Sequence, residues 1–410
     1  MRIFSDIIGN IFSFVQILHI HKEKLINCLH IPKKSSIFAV ANGKPMKRFF
    51  FIALLVVGAL GIATASDKTM ERVIYYPSVD QDNQAILLSG KLSVPQNQQP
   101  KGIILLPHFT IGSNKEAPSN RLTADAKMLK DDYVLIMPDY LGYGISSERV
   151  HPYLHGELTA RNTVDLFLYT RPLLDSLSLG IPTDSIYIVG YSQGGATALW
   201  TLRLIEEQYA DRIHVKRCFV GSAPCDVATT FDEAVLHCRA NVPALVALLT
   251  YGTDAAYRLN LQMDQILKPA MIKAYNKYIA DKEHGLATAY FRMPQHRLDY
   301  WMTAAGMDKK QPETQRLYQG LLRSSLLHID ISGDTSDNFC PTWTPRTPMY
   351  VFHSLTDELV PVANALHLQQ CFQNVPTITW DFGRYGGHLG ATRRFIPNVK
   401  KMLATDEKSH

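Results

Sequence analysis

Three things are scarce in this 410-residue chain, and each absence excludes something. Cysteine is the first. There are six, at positions 28, 218, 225, 238, 340 and 371, with no CxxC pair, and the chain also has no HExxH segment. Zinc therefore has no support in the sequence, and so irregular a set does not read as a disulfide framework. Cys218, inside a strand-like run, reads as a buried free thiol. The second is basic excess outside the first 65 residues. The formal net charge is +5, but residues 1–65 hold eight Lys/Arg and two acids, leaving 34 basic and 35 acidic residues beyond them. A nucleic-acid binder carries its basic excess on the folded domain, so that class is excluded. The third is a long apolar run. Phe49 to Ile62 is the strongest, and it is shorter than the roughly 18–20 residues a spanning helix needs.

That run has a different reading. Lys47 and Arg48 precede it, and Ala63-Thr64-Ala65 follows with a small-x-small pattern. The whole stretch, 46–65, reads as a signal peptide cut before Ser66, with residues 1–45 as an upstream extension outside the mature protein. No cysteine stands directly after the apolar run, which argues against a lipoprotein anchor. The expected destination is the periplasm or the medium.

What is present is an alternation. Short apolar runs at 102–108, 133–139, 185–192, 216–224, 347–354 and 377–383 end in Pro, Gly or polar residues, and an expected hairpin, 72–79 and 85–95, leads in. Such runs imply strands buried on both faces, as in a parallel sheet. Helical patterns at 119–130, 157–176, 194–209, 361–372 and 391–404 lie between them. The expected fold class is α/β, a doubly wound and mostly parallel sheet. About 120 residues between "GSAP" and "TPMYVF" read as helical throughout. The expected organisation is a core of 66–225 and 341–410, with a helical cap at 226–340 over the crevice where such sheets bind ligands.

One turn carries the chemistry. In "SIYIVGYSQGGATALW" a strand-like run stops at Gly190 and a helical one starts near Ala196, with Ser192 between them. Gly190-Tyr191-Ser192-Gln193-Gly194 has the form G-x-S-x-G between strand and helix. That context turns a glycine-rich turn into a nucleophile elbow, a strained bend that holds a serine Oγ out of the sheet. The plain alternative is a serine capping the helix. A serine hydroxyl needs a base, and the chain order for this architecture is Ser, acid, His. Asp357 follows the strand in "MYVFHSLTDELVP", and His388 lies in the glycine-rich "FGRYGGHLG" after the last one. In this reading His388 is the general base and Asp357 orients it. Glu358 is an alternative acid, Asp381 a weaker one, and His353 and His367 read as packed. Two N–H donors are needed for the oxyanion: Gln193, next after the nucleophile, and Thr110 or, second, Phe109 in "PHFTIGSNKEAPS".

These residues carry a resemblance. The elbow, acid loop and histidine loop resemble the α/β-hydrolase superfamily. Together with "PHFTIGSNKEAPS", "PDYLGYGIS" and "HPYLH", they resemble its secreted lipase and esterase branch, the fungal lipase-A-like enzymes and their bacterial relatives, over roughly 100–395. The resemblance implies carboxylic ester hydrolysis without a cofactor, a helical cap shaping the acyl pocket, and a small-molecule or lipid ester as substrate. It also implies transient contact with a lipid surface, and structural roles for Asp139 and Tyr143. Leu245, Leu248, Leu249, Tyr251, Trp301 and Met302 are candidate pocket residues, most of them expected to serve helix packing. His108 is followed by Phe109 where that branch has glycine, which leaves the loop donor open. Two alternatives stand beside this reading: a serine peptidase of the prolyl-oligopeptidase kind and a non-catalytic hydrolase-fold binding protein.

Overall fold

A computed structural model describes residues 63–66 and 69–406. The signal-peptide reading thus lies outside the described residues except at its end, where Ala63–Ser66 forms strand β1. The other strands are β2 (Thr69–Val79), β3 (Ala85–Pro95), β4 (Ile103–Leu105), β5 (Val134–Pro138), β6 (Ser185–Tyr191), β7 (His214–Gly221), β8 (Met349–Ser354) and β9 (Ile378–Gly383). The helices are α1 (Ala124–Leu129), α2 (Gly156–Ser176), α3 (Gln193–Gln208), α4 (Val227–Leu236), α5 (Pro243–Tyr257), α6 (Met263–Ile266), α7 (Pro269–Tyr278), α8 (Leu286–Arg292), α9 (Leu298–Trp301), α10 (Pro312–Ser324), α11 (Ala363–Cys371) and α12 (His388–Asp406).

The strands form one sheet in the order β1-β2-β3-β5-β4-β6-β7-β8-β9. β1, β2 and β3 join antiparallel, and β3 pairs antiparallel with β5. From β5 to β9 every pairing is parallel. In the central strands alternate residues serve different cores. Ile103, Leu105, Ile186 and Ile188 face the cluster built with α2 and α3. Ile104, Leu106, Tyr187 and Val189 face the cluster built with α1 and α12. Burial on both faces is why these strands read as unbroken apolar runs rather than alternating ones. On α12, Ala391, Phe395, Val399 and Leu403 recur every four residues along the face that packs on the sheet.

Between β7 and β8 the described chain carries helices α4 to α10 and then an irregular stretch, 325–348; the helices build a hydrophobic cluster of their own around Ala244, Met271, Trp301, Met302 and Leu321. Pro243, Pro269 and Pro312 open α5, α7 and α10. There the missing N–H costs nothing and the ring pre-sets the helical φ.

The expectation about cysteine is corrected in one respect. Cys340 and Cys371 form a disulfide with their Cα atoms 5.5 Å apart, tying the stretch before β8 to the end of α11. Their spacing gives no hint, because the fold brings them together. Cys218 is a buried free thiol, as read, and Cys225 is another. No helix among the described residues is long and apolar enough to cross a membrane.

Candidate active site

β4 lies between β5 and β6, so consecutive connections leave the sheet in opposite directions there. This is the switch point at which open α/β sheets bind ligands, beyond the carboxyl ends of the strands. The loop after β4 and the β6–α3 turn both emerge at it.

Ser192 sits in that turn with φ 57° and ψ −125°, the left-handed side that side chains avoid. Two close approaches explain its glycine neighbours. A Cβ on Gly190 would lie 2.0 Å from the Gly194 carbonyl oxygen, and one on Gly194 would lie 2.3 Å from that of Pro107. The bend closes only if both positions lack a side chain. Ser192 stands at the N-cap of α3, yet its hydroxyl makes no capping bond. It meets His388 Nε2 instead, at 2.9 Å.

His388 Nδ1 donates to Asp357 Oδ2 at 2.7 Å. The other Asp357 oxygen accepts from the backbone N–H groups of Leu359 and Val360, each at 2.9 Å. Burial pushes the Asp357 carboxyl upward, but the His388 hydrogen bond and charge, with the Val360 N–H, more than offset it and leave it below the usual carboxylate range. Asp357 is thereby held ionised beside an imidazole whose free nitrogen faces a hydroxyl. That arrangement can pass a proton from Ser192 Oγ to His388 and stabilise the imidazolium that forms.

The other candidates have separate positions. Glu358 does not meet the imidazole; it accepts from the His388 backbone N–H at 2.9 Å. Asp381 accepts from the hydroxyl groups of Tyr350 and Tyr385. His353 is buried and donates from Nε2 to the Val360 carbonyl, and His367 donates to Asp226. The expected place of His388 within a loop is corrected: it is the first residue of α12, immediately after Gly386 and Gly387.

Ser192, Asp357 and His388 lie in the wall of a cavity of about 1380 Å³. Phe109 and Thr110 line it too, and Gln193 opens α3, so its N–H has no acceptor within the helix. Most of the lining is apolar, with Phe231, Leu245, Val246 and Leu249 from the β7–β8 insertion and Leu389 and Ile396 from α12. Of the six candidate pocket residues, Leu245, Leu249 and Met302 reach the cavity. Leu248, Tyr251 and Trp301 pack among the helices.

The model of the secretory lipase family matches residues 121–398, well over half of the chain. The chain belongs to the secretory lipase family. Membership makes it a carboxylic ester hydrolase, on the α/β-hydrolase fold. A secreted triacylglycerol lipase LIP5 of Malassezia furfur is 22% identical over 298 residues, covering 66% of this chain and 69% of that one. A secreted triacylglycerol lipase LIP3 of Malassezia restricta is 22% identical over 329 residues, 74% of this chain and 63% of that one. Among solved structures, the rice cell wall degrading esterase LipA from Xanthomonas oryzae superposes with a TM-score of 0.69 at 22% identity, covering 87% of this chain and 95% of that one. Candida antarctica lipase A in its closed state superposes with a TM-score of 0.59 at 15% identity, covering 79% and 74%.

In this secretory lipase several groups escape a reading of the sequence. Tyr191 donates its hydroxyl to the His388 carbonyl at 2.6 Å, so the histidine backbone is held at both ends, by Glu358 and by Tyr191. Ser354 and Thr356 donate to the Gly386 carbonyl and pin the approach to His388. No spacing rule marks such residues. Asp139 and Tyr143 are structural: Asp139 accepts from Ser89 Oγ and the Ser119 N–H, and the Tyr143 hydroxyl donates to the Ile111 carbonyl. Among the described residues one group has the make-up of metal ligands, Asp232, His328 and Asp330. The Lys309 ammonium donates to both of its carboxylates at 3.2 Å, so an internal cation already meets their charge.

Proposed function

We propose that this chain is an exported esterase or lipase acting through an acyl-enzyme on Ser192, with lipid-like esters as substrates. The observation that carries this reading is the unbroken line from Ser192 Oγ to His388 Nε2 at 2.9 Å and from His388 Nδ1 to Asp357 Oδ2 at 2.7 Å, at a strained elbow in an apolar cavity. His388 takes the serine proton as Oγ attacks the ester carbonyl, then delivers it to the leaving alcohol. Water attacks the acyl-enzyme by the same path in reverse. Asp357 keeps the imidazole in the right tautomer. The backbone N–H of Gln193 and that of Thr110, with Phe109 the second choice, hold the oxyanion. Helices α4 to α10 act as the cap that selects the acyl group, in keeping with their share of the cavity wall. The triacylglycerol lipases among the relatives favour a lipid ester. Met128, Leu366 and Leu389 line the cavity and are exposed, which supports transient contact with a lipid surface.

Export draws on the leader-like stretch at 46–65 and on the Cys340–Cys371 disulfide, a bond that persists in oxidising compartments. A cut before Ser66 removes three of the four residues of β1, so that strand is dispensable in this reading. N-terminal sequencing of the exported protein is expected to begin at Ser66; a product retaining 46–65 sinks the cleavage.

The enzymatic test compares aryl esters of increasing acyl length with aminoacyl arylamides, using Ser192→Ala as control. Ester turnover that vanishes in the alanine variant is expected. Amide turnover without ester turnover overturns the reading, and full activity in Ser192→Ala removes the nucleophile.

A further inference from the structure

His151 and Tyr153 belong to the "HPYLH" segment and have no part in the proton path. Both are buried. His151 Nδ1 lies 2.7 Å from the Leu141 carbonyl oxygen, which can only accept, so the proton is on Nδ1. Nε2 then carries a lone pair, and the Gln193 side-chain amide donates to it at 2.7 Å. Burial brings the imidazole down to about 3, so it stays neutral and Nε2 stays an acceptor at any working pH. Two residues on, the Tyr153 hydroxyl is 2.9 Å from Thr110 Oγ1. One short segment therefore holds the residue after the nucleophile and the residue in the loop after β4.

The segment is itself wedged. Tyr140 stacks on the His151 ring, with centroids 5.9 Å apart and planes 9° off parallel. A Cβ on Gly142 would lie 2.6 Å from the His151 Cα, and one on Gly252 of α5 would lie 2.7 Å from the Tyr153 backbone nitrogen. The PDYLGYG loop and a helix of the β7–β8 insertion thus press on it from two sides. Tyr153 also lines the cavity.

We propose that His151 and Tyr153 are positioning residues for the oxyanion pocket, each fixing by one hydrogen bond one of the two residues whose backbone N–H groups face the oxyanion. This rests on the ester-hydrolase reading above and on Gln193 and Thr110 as donors. The reason for such a clamp is that oxyanion donors act only when preorganised, within a few tenths of an ångström of where the charge develops. Gln193 opens α3 and Thr110 lies in the loop after β4, and the elbow alone sets just one of them.

The test uses the full chain with Tyr153→Phe and Gln193→Met, which remove one hydrogen bond each and keep the volume. Tyr257→Phe, which loses a comparable bond to Ser324 elsewhere, is the control. For a short p-nitrophenyl ester, kcat is expected to fall about 10- to 100-fold in the first two variants while KM stays within about twofold. Affinity for an aryl boronic acid, which forms a tetrahedral adduct with the serine, is expected to fall by the same factor as kcat/KM, with an unchanged thermal midpoint. The control is expected to match the parent. A Tyr153→Phe enzyme with parental kcat overturns the proposal. So does a loss that appears in KM alone, or one that follows a lowered thermal midpoint with boronate affinity intact. Failure of the underlying reading looks different: the parent then cleaves no ester, or Ser192→Ala remains active.

Discussion

The two carboxylate oxygens of Asp357 do different work, one in the turn before α11 and one on the histidine. Glu358, its neighbour in sequence, reaches only the His388 backbone. Substitutions should separate them. Asp357→Asn is expected to lower kcat by about 10⁴-fold, because an amide cannot hold the imidazole in the base tautomer. Glu358→Gln still offers an oxygen to the backbone N–H and is expected to stay within about tenfold of the parent. Steady-state kinetics on one ester checks both, and the reverse ranking would move the acid role to Glu358. Ser192, Asp357 and His388 are legible in the sequence because each follows a recognisable strand in a known order. Tyr191 and His151 are not, since a tyrosine or histidine has no local mark of the carbonyl or amide it will meet.

At the scale of elements, the parallel strands were readable because burial on both faces leaves an apolar run that few other environments produce. Their ends were less so: the "GIILLPH" run yields only three residues of strand, Ile103–Leu105, before the chain turns into the loop beside the elbow. The disulfide belongs to this scale. It closes a separation of 31 residues that includes all of β8 and the Asp357 turn. By chain entropy, replacing both cysteines with serine is expected to cost about 3–4 kcal/mol. Denaturant unfolding of Cys340→Ser/Cys371→Ser against the parent measures it. Equal stability would mean that the segment from β8 through α11 is held by packing alone.

For the molecule as a whole, Asp226 joins the sheet to the helical insertion. It is buried at the start of α4, where the chain leaves the sheet. It accepts from His328 and the Ile329 N–H beyond α10, and from His367 on α11. Burial alone pushes its carboxyl up, but the two imidazoles and the Thr229 N–H more than offset this and bring it down to about 2. The folded value lies below the unfolded one of about 3.9. Its stabilisation is therefore complete above pH 4 and lost as pH falls toward 2. The amount is roughly 2–3 kcal/mol at neutral pH. Urea unfolding at several pH values should find Asp226→Asn less stable than the parent at pH 6 and less pH-dependent between 4 and 2. Parallel curves for the two proteins would refute this.

By itself the sequence determined the sheet, the elbow and the order in which Ser192, Asp357 and His388 follow their strands. These depend on local causes: apolar runs, glycines where a Cβ would collide, and a serine between strand and helix. Only the tertiary structure decided that Asp357 rather than Glu358 meets the imidazole, that Cys340 and Cys371 join, and that His151 reaches Gln193. Those are contacts between groups 31 to 42 residues apart in the chain. Their chemistry depends on directions of approach to within an ångström, which periodicity and spacing do not encode.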